Sequence, residues 1–129
     1  MTNRNFLSIA ALLGAVAVIF GAFGAHILKN SLSPYQLEIW NKGVLYQFIH
    51  VFAWLFCGLF NHIKPEKMLH FAMTAFCSGI FCFSGSLYLL AIRDILPVPT
   101  LILGPITPIG GLFFMAGWIF MLLGMRKIY

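Results

Sequence analysis

Charged residues are scarce in this chain of 129 residues: Asp, Glu, Lys and Arg make up 9% of it, whereas hydrophobic residues make up 61%. An ordinary soluble domain is about 25% charged. So few charges cannot cover the surface of a soluble domain of this size, so much of the apolar surface has to face lipid. The composition therefore excludes an ordinary soluble protein, and the length predicts a single membrane domain over residues 1–129.

Acidic residues are rarer still, and the three present, Glu38, Glu66 and Asp94, are all expected in loops. A proton-coupled exporter of the small multidrug type needs a carboxylate inside the membrane, so this class is disfavoured. The arginines lie at the ends of apolar runs, which disfavours a membrane enzyme that holds anionic glutathione. A small transporter or channel of another kind stays open as an alternative function.

Cysteine is also sparse, and Cys57, Cys77 and Cys82 form no C-x-x-C pair. They indicate buried small hydrophobic side chains, and no metal site is predicted. The net charge of +5 comes from basic residues at the ends of apolar runs, without a contiguous basic stripe. We therefore predict that these residues orient the chain in a membrane and that nucleic acid is not a partner.

Four uncharged runs are the main feature that is present. A hydrocarbon core about 30 Å thick requires about 20 helical residues. The candidate spans cover residues 6–28, 43–60, 68–92 and 100–125. The first resembles a signal peptide, but its apolar run exceeds the usual 7–15-residue core. Short connections between neighbouring spans predict an all-α, antiparallel up-down bundle of four transmembrane helices.

The connection between the first two spans contains a helix start. Ser33 can cap the helix, Pro34 suits its first position, and Gln36 completes a capping box. We expect a short interfacial helix here, anchored by Tyr35 and Trp40, that runs on into the second span.

Glycine and proline carry further structural information. Gly14, Gly21 and Ala25 share one face of the first span, and Gly110, Gly117 and Gly124 recur every seven residues in the fourth. Small residues allow close helix packing in lipid. Pro105 and Pro108 predict a kinked or irregular outer end of the fourth span.

The basic residues also predict an orientation. The side of the membrane that would hold both termini carries five basic residues, and the opposite side carries three. The positive-inside rule then places both termini in the cytoplasm, in a multi-pass protein of the cell (inner) membrane.

Polar residues inside the spans are the candidate site. All four spans place them in the outer half of the bundle, and they comprise His26, Tyr46, Gln47, His50, Ser84, Ser86, Tyr88 and Thr107. Lipid offers no hydrogen-bond partners, so we expect six of these side chains to turn inward and approach one another: His26, Gln47, His50, Ser84, Tyr88 and Thr107. Two interpretations stay open: hydrogen bonds that lock the helices together, or a ligand-binding site.

Several short motifs resemble one known family. They are Gly-Ala-Phe-Gly-Ala-His at 21–26, Tyr-Gln-x-x-His at 46–50, Phe-Ser-Gly-Ser-Leu-Tyr at 83–88, Thr-Pro-Ile-Gly-Gly at 107–111, and Gly117-Trp118. The chain is similar to the family called domain of unknown function 423, also named for transmembrane protein 256. This resemblance covers nearly the whole chain and implies a four-helix membrane protein of uncharacterised activity. It supplies no catalytic residues.

The leading functional hypothesis is a non-enzymatic protein of the lipid bilayer. Its polar pocket would bind a small amphiphile or lipid headgroup, or join a partner protein, and a homo-oligomer stays open. No cofactor is predicted. A bis-histidine haem held between His26 and His50 is the alternative redox function. Ser84 or Ser86 with His50 is the only candidate nucleophile pair, and no carboxylate within the membrane would orient that histidine.

Overall fold

The computed structural model describes residues 3–128, and all the regular secondary structure in this range is helical. Four long helices follow in order: α1 (Asn3–His26), α2 (Pro34–Ile63), α3 (Lys67–Ala91) and α4 (Thr100–Ile128). Each helix is long and apolar enough to cross a membrane. The prediction of an all-α chain with four candidate membrane spans is confirmed.

Helix α2 begins where the capping box was predicted. The Ser33 hydroxyl accepts a hydrogen bond from the Gln36 backbone N–H, and the Gln36 side chain accepts one from the Ser33 N–H. The helix then continues without a break to Ile63, so it starts nine residues before the predicted residue 43. Between α1 and α2, the described chain contains only a 3₁₀ turn, Leu28–Asn30, and no separate short helix.

Helix α3 has an irregularity that the sequence did not predict. Its first part, Lys67–Gly79, and its last part, Gly85–Ala91, are α-helical, but Ile80–Ser84 is a π-helical segment. There the N–H of Gly85 bonds to the carbonyl of Ile80, five residues back. A π segment of this kind shifts the register of the side chains that follow it.

Helix α4 is continuous through Pro105 and Pro108. The expectation of an irregular backbone at this end is therefore wrong, whereas the expected kink stays a prediction. Each proline lacks a backbone N–H, so the carbonyls of Leu101 and Gly104 lose their usual donor one turn later. The helix nevertheless continues through both positions.

Helices α2 and α3 form the more deeply buried centre of the structure, and α1 and α4 flank them. Helix α1 packs along α2, and α4 packs along α3. Side chains also make contacts between helices that are not packed side by side. The ring centroids of Phe20 on α1 and Tyr88 on α3, for example, are 4.8 Å apart. Polar residues on α2 can therefore face either flanking helix.

Glycine allows α4 to approach α3 closely, as predicted. The three glycines spaced by seven each lie against a residue of α3: Gly110 against Phe83, Gly117 against Phe76 and Gly124 against Leu69. A Cβ atom at Gly110 would overlap the backbone of Phe83, which cannot move aside as a side chain can. On α1, Gly24 rather than the predicted Ala25 is buried, and it lies against Trp40.

Candidate functional site

His50 lies near the middle of α2 and is only 4% exposed. Its Nδ1 atom is 2.7 Å from the backbone carbonyl oxygen of Tyr46, one turn earlier. Its Nε2 atom accepts a hydrogen bond from the indole N–H of Trp118, on α4, at 3.2 Å. The imidazole ring also stacks on Phe114, with ring centroids 3.4 Å apart and nearly parallel planes.

These contacts fix the protonation of His50. An indole N–H can only donate, so Nε2 has to be the unprotonated nitrogen. A backbone carbonyl can only accept, so Nδ1 carries the proton and donates it to Tyr46. The imidazole is therefore neutral, and both of its nitrogen atoms are already engaged within the protein.

A groove of about 380 Å³ lies beside this histidine. It is formed by residues of α2, α3 and α4: Tyr46, His50, Phe83, Pro108, Gly111, Phe114, Met115 and Trp118. Tyr46 is 38% exposed, and its hydroxyl makes no hydrogen bond to any described residue. We call this surface the His50 groove. Its walls are mostly aromatic and apolar, with one phenol hydroxyl available to a bound molecule.

Gln47 joins a different part of the structure. Its side chain is 2% exposed; its Nε2 donates to the backbone carbonyl of Leu13 at 2.7 Å, and its Oε1 accepts from the Tyr88 hydroxyl at 2.8 Å. These two bonds connect α2 to α1 on one side and to α3 on the other. The Tyr88 ring packs between Phe20 and Trp40, at 4.8 Å from each. The arrangement explains the burial of a glutamine in an apolar core.

Ser86 and Thr107 form a third polar contact, between α3 and α4. Their hydroxyl oxygens are 2.7 Å apart, and the Ser86 hydroxyl also donates to the carbonyl of Phe83 at 2.9 Å. Ser86 is 2% exposed. This pair holds two helices together close to the π segment, and the structure places no ionisable group in hydrogen-bond contact with it.

Ser84 is fully buried, and its hydroxyl has no hydrogen-bond partner among the described residues. It ends the π segment Ile80–Ser84. Neither Ser84 nor Ser86 forms a hydrogen bond with His50, whose two nitrogen atoms bond Tyr46 and Trp118 instead. The candidate serine–histidine nucleophile pair is therefore not assembled.

His26 does not join the other predicted site residues. It ends α1, is exposed, and forms no hydrogen bond with any of them. It lies two residues after Gly24, which faces Trp40, and two residues turn a helix by about 200°. The expectation that His26 turns inward was wrong. A bis-histidine haem between His26 and His50 also does not fit, because Nε2 of His50 is engaged by Trp118 of α4.

The predicted polar cluster is therefore divided into separate contacts. Gln47 bonds Tyr88, Ser86 bonds Thr107, and His50 bonds Trp118, whereas His26 and Ser84 bond none of the others. Sequence reasoning missed Trp118, although the Gly117-Trp118 motif was a signal for it. Among residues 3–128, the structure brings no three His, Cys, Asp or Glu side chains into a metal-binding group.

Comparison with known proteins identifies the family. The family model described as "Protein of unknown function (DUF423)" matches residues 20–111. A UPF0382 membrane protein of Staphylococcus saprophyticus is 40% identical to this chain, over 97% of the chain and 99% of the relative. The UPF0382 inner membrane protein YgdD of Escherichia coli K12 is 33% identical, over 99% of the chain and 94% of the relative. No solved structure gives a significant match.

The two relatives match over nearly the full length of this chain and of their own, and both are membrane proteins. The chain belongs to the DUF423 family of small membrane proteins.

Proposed function

We propose that this DUF423 family member is a non-enzymatic membrane protein that binds a small amphiphile in the His50 groove. The observation that carries the proposal is the hydroxyl of Tyr46, which lines the groove and has no described hydrogen-bond partner. Polar groups without a partner are costly within a membrane. A ligand with an oxygen acceptor would supply that partner.

The lining of the groove indicates the chemistry of the part of the ligand that does not contact Tyr46. Phe83, Phe114 and Met115 offer an apolar surface to a hydrocarbon or ring system. A volume of about 380 Å³ fits a small molecule or part of a lipid chain. The ligand class is therefore an amphiphile with an apolar body and a carbonyl, carboxyl or hydroxyl group that Tyr46 can bind.

The role proposed for His50 is structural. Its contacts with Tyr46 and Trp118 use both imidazole nitrogen atoms and hold Trp118 at the edge of the groove. Glu66 and Asp94 belong to connections between helices, whereas Glu38, which was expected in a loop, lies in the second turn of α2, twelve residues before His50. A binding role therefore agrees better with the groove than general acid–base catalysis does.

We also propose an antiparallel up-down bundle for the four helices. The early part of α3 meets the late part of α2, where Gly58 lies against Met73. The late part of α3 meets the middle of α2, where Gln47 bonds Tyr88. At 30 residues, α2 is about 45 Å long, which exceeds a hydrocarbon core of about 30 Å. Its first turns, with Tyr35 and Trp40, would then lie at the interface.

The proposed orientation places both termini in the cytoplasm. The support is the five basic residues at the end of the bundle with the termini, against three at the other end.

Binding can be tested through tryptophan fluorescence. Trp118 is 44% exposed and lines the groove, whereas Trp40 and Trp54 are buried at 5% and 0%. Dibromostearic acid quenches fluorescence only at short range, so we expect saturable quenching when it enters the groove. Trp118→Phe should abolish the saturable component. Linear, non-saturable quenching in the wild-type protein would contradict the proposal.

A further inference from the structure

One end of the bundle carries an excess of positive charge. It contains the start of α1, the connection from α2 to α3 and the end of α4, with the basic residues Arg4, Lys64, Lys67, Arg126 and Lys127. We call it the basic end. Its one described carboxylate is that of Glu66, which pairs with Lys127 at 3.4 Å and also accepts the N–H of Met68. No described carboxylate pairs with Arg4, Lys67 or Arg126.

The opposite end is more nearly balanced. Lys42 pairs with Glu38 at 3.1 Å, and Arg93 lies 3.9 Å from Asp94. Of the three basic residues there, only Lys29 lacks a described ion pair. The uncompensated charge is thus concentrated at the basic end.

A cavity of about 380 Å³ opens within the basic end, lined by Asn61, Pro65, Glu66, Lys67 and His70. The Lys67 side chain is exposed, and neither its ammonium group nor the His70 imidazole bonds a described residue. The His70 ring stands edge-on to Phe6, with centroids 4.8 Å apart, which restrains its orientation. Two hydrogen-bond donor groups without described partners therefore line one cavity.

Three backbone N–H groups at the start of α3 are already satisfied. The N–H of Met68 bonds the Glu66 side chain, and the N–H groups of Leu69 and His70 bond the Glu66 carbonyl. An anion in this cavity would consequently be held by the side chains of Lys67 and His70. Because Glu66 is engaged by Lys127, it is also poorly placed to bind the ammonium group of a zwitterionic lipid.

We propose that this cavity binds the phosphate of an anionic phospholipid headgroup. Lys67 begins a candidate membrane span, so its ammonium group lies where headgroups meet the hydrocarbon core. Phe71, one turn further along α3, is 49% exposed and offers an apolar surface for the acyl chains. Lys67 and His70 donate to the phosphate oxygens, and the surrounding basic residues favour a lipid with net negative charge.

Native mass spectrometry of the full chain, in detergent with equal amounts of phosphatidylglycerol and phosphatidylethanolamine, tests the proposal. We expect the wild-type protein to retain phosphatidylglycerol preferentially. Lys67→Gln with His70→Gln should reduce this preference by about fivefold or more, as expected for the loss of one or two donors at a membrane surface.

The matched control is His26→Gln with Lys29→Gln. This exposed pair has the same chemistry and the same spacing of three residues, but it lies at the opposite end of the bundle. The control should leave the preference unchanged. The proposal would be overturned if both double variants lost the preference equally, or if the Lys67/His70 variant kept it. It would also be overturned if the wild-type protein showed no preference for phosphatidylglycerol. If the Lys67/His70 variant does not fold, Lys67→Gln alone serves, because that side chain is exposed.

Discussion

The indole N–H of Trp118 on α4 donates to Nε2 of His50 on α2 across 3.2 Å. The pair joins α2 to α4, two helices whose backbones do not pack closely together. Helix α4 packs mainly along α3 instead. It also places the exposed tryptophan at the edge of the His50 groove. The stability of this part of the bundle and the shape of the groove therefore depend on the same hydrogen bond.

A double-mutant cycle on this pair should give a favourable coupling energy. The cycle compares His50→Phe, Trp118→Phe and the double variant. We expect a coupling energy of about 0.6 kcal/mol, the average for interhelical hydrogen bonds in membranes, and at most about 1.7 kcal/mol. Equilibrium unfolding in mixed dodecyl sulfate micelles measures it. Additive costs for the two substitutions would show that the hydrogen bond does not form.

Loss of the Tyr88 hydroxyl should destabilise the protein. Tyr88→Phe removes the 2.8 Å bond to the Gln47 side chain and leaves a buried amide oxygen without its donor, at a cost of about 1 kcal/mol. Tyr46→Phe is the matched control, since its hydroxyl has no described partner. It should leave the free energy of unfolding unchanged or raise it slightly, because it removes a hydroxyl without a described partner. Equal costs for both substitutions would contradict the assigned contacts.

Substitution by alanine should have different effects on the free energy of unfolding at two glycines of α4. Gly110→Ala would place Cβ against the backbone of Phe83, and we expect a loss of about 1–3 kcal/mol, as for overpacked cores. Nothing lies within 4 Å of a Cβ at Gly104, so Gly104→Ala should be neutral or gain up to about 1 kcal/mol of helix propensity. Unfolding free energies of both variants provide the comparison. A tolerated Gly110→Ala would mean that α4 does not approach α3 this closely.

The orientation can be tested by labelling with a membrane-impermeant thiol reagent. In a background without Cys57, Cys77 and Cys82, we expect Asn30→Cys to react in intact cells and Pro65→Cys to react only after lysis. Both positions are exposed in connections between helices, one before the start of α2 and one after its end. The reverse pattern would place the termini outside the cytoplasm.

Much of the fold follows from features that are local in sequence. The four spans depend on run length and polarity, and the start of α2 depends on Ser33 and Gln36, which are three residues apart. The glycine repeat of α4 predicted its close packing, because a spacing of seven returns to the same helix face. The π segment Ile80–Ser84 has no such signal, since it depends on how α3 packs against its neighbours.

The candidate site was harder to predict. A sequence indicates how deep a residue lies in the membrane better than it indicates in which direction its side chain points around the helix axis. Gln47 and His50 lie at similar depth, but three residues separate their directions by about 60°. That difference is enough for Gln47 to bond α1 and for His50 to bond α4. The matching depths therefore suggested one cluster where the structure has three separate contacts.

The most direct test of the proposed function is to fill the groove and measure binding. Gly111 lines the groove, and a Cβ there would have only ordinary contacts with Phe83, so Gly111→Leu should occupy the space without disturbing the helices. Gly104→Leu, on the same helix with no neighbour within 4 Å, is the control. We expect saturable quenching of Trp118 by dibromostearic acid to disappear in Gly111→Leu and to persist in Gly104→Leu. Saturable quenching of equal strength in both variants would contradict binding in the His50 groove.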